Sequence, residues 1–349
     1  MQPVPETPSS VLVIRLSSLG DVVLATPIVR AVRTRFPDAR IDVAVAREYA
    51  GVWHGNRNVT TVLELDKRRS AAHGLRRDAL PGALPRYDVV VDLQNNLRSS
   101  VLRLRLGARR YVVSSMRKEK RALVGHSPQA RALPHVVERY FRAVAPLGVQ
   151  DDGKGLELWA SDGSGVTTAG SDTHRHVSGP SVILAPGAKH ATKRWPAASF
   201  AGCAEALLRE GFRVTVIGTD QDAAVCSDVM RGVDVTLRDR LRHMCVRTLE
   251  ETKRIMNEVD GVVANDSSIV HIAAAMQVPV VDIYGSTVPA LGFTPYRCAH
   301  VVVEADTECR PCTHIGGDAC PRGHFRCMND IDVGTVVAAL LRIRTGASG

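Results

Sequence analysis

A chain of 349 residues is too long for one small core and suits two domains of ordinary size. Apolar residues at 45% and charged residues at 23% exclude a disordered chain, and aromatic residues at 4% supply little for a base-stacking nucleic-acid surface. Lys and Arg outnumber Asp and Glu by 45 to 36, and the resulting charge of +9 favours an anionic partner: nucleic acid, a phosphate-bearing substrate or an anionic membrane face. No apolar run reaches the roughly 18 residues that span a bilayer. The start, MQPVPETPSS, has neither the basic nor the apolar part of a secretory signal, so a cytoplasmic protein is expected.

In chain order, the first buried run is Val11 to Ile14, followed by the turn Arg15-Leu16-Ser17-Ser18-Leu19-Gly20-Asp21 and a helix through Val22, Val23, Ile28, Val29 and Val32. Further runs at Ile41–Ala46, Val62–Leu65 and Val89–Val91 read as strands buried on both faces. The pattern lapses over ASDGSGVTTAGSDTHRHVSGP, a Gly-, Ser- and Thr-rich stretch that reads as a linker or surface loop. It restarts with Val182–Ala185, a helix near Ala197–Glu210, and Val214–Ile217. Then come a helix near Leu249–Asn257, Val262–Ala264, a helix from about Ser267, Val278–Tyr284, and a last helix near Val333–Ile343 that caps the second half. Strand alternating with helix predicts an α/β fold in two Rossmann-type halves. A cleft between the halves is expected to face the carboxyl ends of both sheets. The division expected is 1–160, a linker at 161–180, and 181–349.

Several strand-end loops carry chemistry. In the first turn, Gly20 permits a tight backbone, and Ser17, Ser18 and Asp21 are all competent helix caps. Asp21 is therefore either a cap or a general base within reach of a hydroxyl. The turn lacks G-x-G-x-x-G, which argues against a dinucleotide site. In the second half, Pro186 to Pro196 is a basic loop containing Gly187, either a solvated loop or one in which Lys193 or Arg194 neutralises a diphosphate, with Trp195 as a packing anchor. Asn265-Asp266-Ser267-Ser268-Ile269-Val270-His271 opens an apolar helix, whose free N–H groups and positive dipole end suit phosphate oxygens. Asp266 either caps that helix or bonds a sugar hydroxyl, and His271 is either a core histidine or a ligand contact. Thr219 in one polar loop and Gly285 and Ser286 in another complete a nucleotide-sized edge.

RLSSLGDVVLATPIV, YDVVVDLQNNLRSS, LAPGAKHATKRWP and NDSSIVHIAAAMQVPVVDIYGST resemble, in order and spacing, the ADP-heptose lipopolysaccharide heptosyltransferases of glycosyltransferase family nine. The resemblance covers roughly Val11 to Tyr296. It implies a GT-B fold with an acceptor-binding N-terminal domain and a donor-binding C-terminal one. It also implies inverting transfer of a heptose to a lipopolysaccharide inner-core sugar, with no cofactor required for catalysis. By position, Asp21 matches the base and Lys193 the lysine at the donor phosphates. Asp266, Ser267, Ser268 and His271 match the donor-binding helix start, and Ser18, Gly20, Asn95 and Arg98 are the acceptor-side candidates. Two departures stand out: Ser268 replaces a common Gly, and LRHMCVRTLEE lacks a Gly-Lys-Thr/Ser-like segment.

Two features lie outside those motifs. Arg98, Arg103, Arg105, Arg109, Arg110, Arg117, Lys118, Lys120 and Arg121 are opposed only by Glu119. They are either a solvated face or, in the expected acceptor domain, an attraction for an anionic glycolipid and the inner-leaflet surface. No nucleic-acid partner is expected. The pattern Cys309-x2-Cys312-x7-Cys320-x6-Cys327, with His314 and His324 inside it, suggests a structural four-thiolate site for zinc or iron, with reduced cysteines or disulfides as the alternative.

Overall fold

The computed structural model describes residues 7–66, 85–106, 109–113, 115–124, 132–167 and 179–344. The chain forms β1 (Ser10–Ile14), α1 (Leu19–Val23), α2 (Thr26–Arg35), β2 (Arg40–Ala46), β3 (Thr61–Leu65), β4 (Val89–Asp92), α3 (Leu97–Arg105) and β5 (Arg109–Val112). There follow α4 (Arg117–Leu123), α5 (Val136–Val144), β6 (Ser181–Ala185), α6 (Ala197–Arg209), β7 (Arg213–Gly218), α7 (Ala223–Gly232) and β8 (Leu241–Cys245). The chain closes with α8 (Leu249–Met256), β9 (Gly261–Asn265), α9 (Ser268–Ala275), β10 (Val280–Tyr284), β11 (His300–Glu304), α10 (Arg326–Asn329) and α11 (Val333–Arg344).

Contacts divide the chain into two compact units, Met1–Ser115 with Val136–Thr167, and Met116–His135 with Thr168–Gly349. This differs from two contiguous halves. The described residues of 116–135 leave the first unit and pack with the second. There the Leu133 N–H donates to Ala290 O at 2.8 Å, His135 stacks on Tyr296 at 4.7 Å, and Lys120 lies 5.4 Å from the Phe293 ring centre. Of the expected linker, 168–178 lies outside the described residues. Before it, Trp159 and Val166 form an antiparallel bridge.

Each unit holds one parallel sheet. The first has the order β3-β2-β1-β4-β5, the second β11-β10-β9-β6-β7-β8. Both orders reverse direction beside the first strand of the unit, between β1 and β4 and between β6 and β9. At such a switch point the loops leaving the two strands diverge and open a crevice, where α/β sheets bind ligands. The central strands β1, β4, β6, β9 and β10 are buried almost end to end, as their unbroken apolar runs require. In the second unit Val182, Leu184, Phe200, Leu207, Val214, Val263, Ile283 and Leu340 share one core, onto which α11 closes. Each such side chain contributes about 1.5–3 kcal/mol on burial.

The helix expected through Val22 to Val32 is two helices. Pro27 sits in the first turn of α2, where its missing N–H costs nothing. One turn earlier its ring would meet a continuing α1, so the chain breaks at Leu24–Ala25. The Thr26 hydroxyl donates to Val23 O at 2.8 Å across the break. Further along α2, buried Arg30 binds Asp152 through Nε at 2.6 Å, Glu157 through Nη1 at 2.7 Å and Gly155 O through Nη2 at 2.9 Å. The segment 152–157 is thereby clamped to the helix.

Candidate active site

At the switch point of the first unit, the turn after β1 is held by the turn after β4. Gln94 Oε1 accepts the N–H groups of Leu16 and Ser17, both at 3.0 Å. Asp92 Oδ1 accepts those of Gln94 at 3.0 Å and Asn95 at 2.9 Å, while its Oδ2 binds Arg103 Nη1 at 2.8 Å. Asp21 stands in this frame. Its Oδ2 accepts from the Ser18 N–H at 3.1 Å and the Ser18 hydroxyl at 2.8 Å, and its Oδ1 meets Arg15 Nη2 at 2.6 Å. Ser18 is thus the helix cap, and Asp21 is its partner three residues on. Burial works against the charge on Asp21. Arg15 and the two Ser18 donors outweigh it and hold the carboxyl below its usual range.

The other acceptor-side candidates divide. Gly20 is buried under the turn and Ser18 is exposed beside Asp21. Asn95 adopts a left-handed φ of 46°, a conformation Asn tolerates, and its side-chain amide donates to Val113 O at 2.8 Å, so it shapes the turn. Arg98 is exposed on the first turn of α3. Of the basic stretch, Arg103 is taken by Asp92, and Lys118, Lys120 and Arg121 travel with the second unit instead of the expected acceptor domain.

At the switch point of the second unit, the loops after β6 and β9 are stitched together. Asn265 accepts from the Trp195 N–H at 2.9 Å and donates to Pro186 O at 2.8 Å, and the Trp195 ring is buried in the core. Lys193 Nζ reaches Asp266 Oδ2 at 2.5 Å, and the same oxygen accepts from the Thr287 hydroxyl at 2.7 Å. Asp266 therefore joins three loops and does not cap α9. The cap position is Ser267, whose side chain makes no capping bond, and Ser267 and Ser268 are both half-buried at the helix start. The first-turn N–H groups are thus left uncapped by that side chain, beside a lysine. His271 is buried one turn further in.

The remaining donor-side candidates shape this edge. Ser286 bonds Thr192 through the hydroxyls at 2.8 Å. A side chain at Gly187 would stand 2.4 Å from the Asp222 carboxyl, and one at Gly285 2.4 Å from Met328, so both positions need glycine for close approach. Thr219 is exposed, and its N–H and hydroxyl donate to Asp222 at 3.0 and 2.7 Å. Arg194 turns back to Ala188 O at 2.8 Å, which leaves Lys193 as the cation at Asp266.

Several site residues escape sequence reasoning. Arg15 and Gln94 act on loops about 78 positions away in sequence. Arg310, buried among the cysteines, donates to Gly285 O at 2.5 Å, Ala305 O at 2.9 Å and Thr287 O at 3.0 Å. Asp282 lies on β10, fully buried, and neither of its oxygens has a hydrogen-bond partner among the described residues. Burial, then the charge of Asp266, pushes its carboxyl well above the usual range, against the pull of Lys193. The signal for Asp282 was a lone acid inside the run Val278–Tyr284; the others had none.

The expected four-thiolate metal site finds no support in the structure, and the alternative of reduced cysteines stands. Among the described residues no group of three or more His, Cys, Asp and Glu is arranged to hold a metal ion. Cys309, Cys312, Cys320 and Cys327 are free thiols, Cys309 Sγ lies 3.8 Å from His324 Nε2, and burial pushes Cys327 up to about 11. The segment instead braces the site. Besides Arg310, the Cys312 N–H donates to Ser286 O at 3.1 Å, and the Gly317 N–H donates to the Thr192 hydroxyl at 2.8 Å.

Comparison with known proteins bears on this geometry. Residues 83–319 match the model of glycosyltransferase family 9 (heptosyltransferase). The chain is 27% identical to lipopolysaccharide heptosyltransferase 2 of Salmonella typhimurium over 82% of this chain and 84% of that protein. Its fold matches that of E. coli ADP-heptose lps heptosyltransferase II with a TM-score of 0.68 and 22% identity, covering 97% of this chain and 99% of that one. It also matches E. coli heptosyltransferase WaaC with ADP, with a TM-score of 0.67 and 18% identity, covering 96% and 99%. The two parallel α/β units are thus of the GT-B type. With a family match over residues 83–319, most of its length, the chain belongs to glycosyltransferase family 9, the heptosyltransferase family.

Proposed function

We propose that this glycosyltransferase moves a heptose from ADP-heptose to a lipopolysaccharide inner-core acceptor with inversion at the anomeric carbon. The observation that carries the reading is Lys193, paired with Asp266 beside a helix start whose cap residue leaves its side chain unused. A diphosphate seated there meets one cation and several backbone N–H groups. As the bond to the sugar breaks, negative charge grows on the phosphate oxygens, and donors already aimed at them lower the barrier. This gives the donor to the second unit and does the work that a divalent cation performs in other transferases.

The acceptor belongs to the first unit. Its hydroxyl attacks the anomeric carbon from the face opposite the diphosphate and passes its proton to Asp21. Single displacement inverts the centre without a covalent enzyme intermediate. An acceptor bearing phosphate or acidic sugars suits the positive charge of the chain, and the reaction is placed at the cytoplasmic face of a membrane, where such a glycolipid is exposed. No helix among the described residues is long and apolar enough to cross a membrane.

The test is incubation with ADP-heptose and a panel of truncated core glycolipids, read by mass spectrometry. One acceptor gaining a single heptose with release of ADP is the expected result. Transfer from UDP- or GDP-sugars instead, or to a protein or capsule glycan, would replace the donor or acceptor assignment.

A further inference from the structure

Arg15 leaves the carboxyl end of β1 with only 8% of its surface exposed. Its Nη1 donates to Leu93 O at 2.5 Å, its Nη2 meets Asp21 Oδ1 at 2.6 Å, and its guanidinium lies 5.6 Å from the centre of the Tyr140 ring. Backbone, carboxylate and ring fix it from three directions. A carboxylate offers about four acceptor directions, and Asp21 has filled three: Arg15, the Ser18 N–H and the Ser18 hydroxyl. The side chain of Asp21 keeps 20% exposure, and one acceptor direction is left after these three donors.

We propose that Arg15 is the positioning residue of the transfer reaction, holding the Asp21 carboxylate so that one lone pair is left to take the acceptor proton. The inference rests on the reading of Asp21 as base. The acceptor O–H bond breaks and its proton passes to Asp21. The oxygen bonds the anomeric carbon, and the carbon–phosphate-oxygen bond breaks with its electron pair going to ADP. Arg15 neither gains nor loses a proton. A base held this firmly in its ionised form accepts a proton only from a hydroxyl already bonding to carbon, which suits a displacement whose bond breaking runs ahead. The other charged or titratable groups around the pair are Arg139 and Tyr140 on α5 and Asp92 on β4. Arg139 is the cation left near Asp21 when Arg15 is neutralised.

The experiment combines NMR titration of aspartate labelled at Cγ with the pH profile of heptosyl transfer, in the wild type, Arg15→Gln, Arg15→Lys and Asp21→Asn. The signal lost in Asp21→Asn assigns Asp21. In Arg15→Gln its midpoint should rise by at least about one pH unit, and the acid limb of kcat should rise with it. Arg15→Lys keeps the charge but cannot span Leu93 O and Asp21 together, so a smaller rise is expected. If Arg15→Gln does not fold, Arg15→Lys carries the test. An unmoved Asp21 midpoint in the folded variants overturns the proposal, as does a rate loss uniform in pH. Failure of the underlying reading looks different: Asp21→Asn at full rate removes the base, and a wild type without transfer removes the reaction. In both cases the titration still decides whether Arg15 holds Asp21.

Discussion

At the scale of single residues, Lys193 is the side chain whose surroundings most constrain its use. It is the cation at Asp266, on an oxygen that Thr287 also serves. Arrival of a diphosphate offers it a second anion within the same crevice. Lys193→Met keeps the length and removes the charge. It should lower kcat/KM for the donor by about 10²–10³-fold, the size expected for losing one preorganised donor to a developing negative charge. ADP affinity by calorimetry should fall in parallel, and unchanged values of both would remove Lys193 from the site. The residues that the motifs flagged at strand ends do gather in two places, since strand ends of a parallel sheet lie together. What the motifs concealed are the second partners. Arg15, Gln94 and Arg310 act on loops distant in sequence, and nothing near them in the chain records that.

At the scale of elements, the central strands were legible because burial on both faces leaves an unbroken apolar run. The edge strands of the second sheet were not. β8 and β11 end the second sheet and face water along much of their length, so LRHMC and HVVVE mix polar with apolar residues. The split between α1 and α2 was written in Pro27 but hidden by an apolar spacing that continues across it. The clamp of Arg30 on Asp152 and Glu157 is an element-scale device that carries a prediction of its own. Glu157 is nearly inaccessible and also takes Asn58 at 3.0 Å and the Trp159 indole at 3.0 Å. Arg30→Ala would leave that charge buried without its cation. A loss of about 3–5 kcal/mol in unfolding free energy is expected from denaturant titration. A loss under about 1 kcal/mol would mean that the segment is held by other contacts.

At the scale of the whole molecule, the excess of basic over acidic residues acts on encounter more than on the bound state. The value of kcat/KM for an anionic glycolipid should therefore fall several-fold between about 50 and 500 mM salt while kcat holds, because the Debye length shrinks below the distance over which exposed charges steer. A salt-independent kcat/KM would leave the basic residues as an ordinary solvated face. The two-domain reading was available from the alternation of runs; the true partition was not, because contacts between distant segments decide it. The chain passes from one unit to the other after Ser115, returns after His135, and departs again after Thr167. One polypeptide thus lends a segment of its first half to the structure of its second. A single proteolytic nick between 167 and 179 consequently does not yield two finished proteins. The N-terminal product keeps an arm shaped for the other, with His135 and Leu133 stripped of Tyr296 and Ala290, and the C-terminal product keeps the vacant seat. Cutting the polypeptide there therefore divides the second unit as well as the chain, and neither fragment carries a whole copy of it.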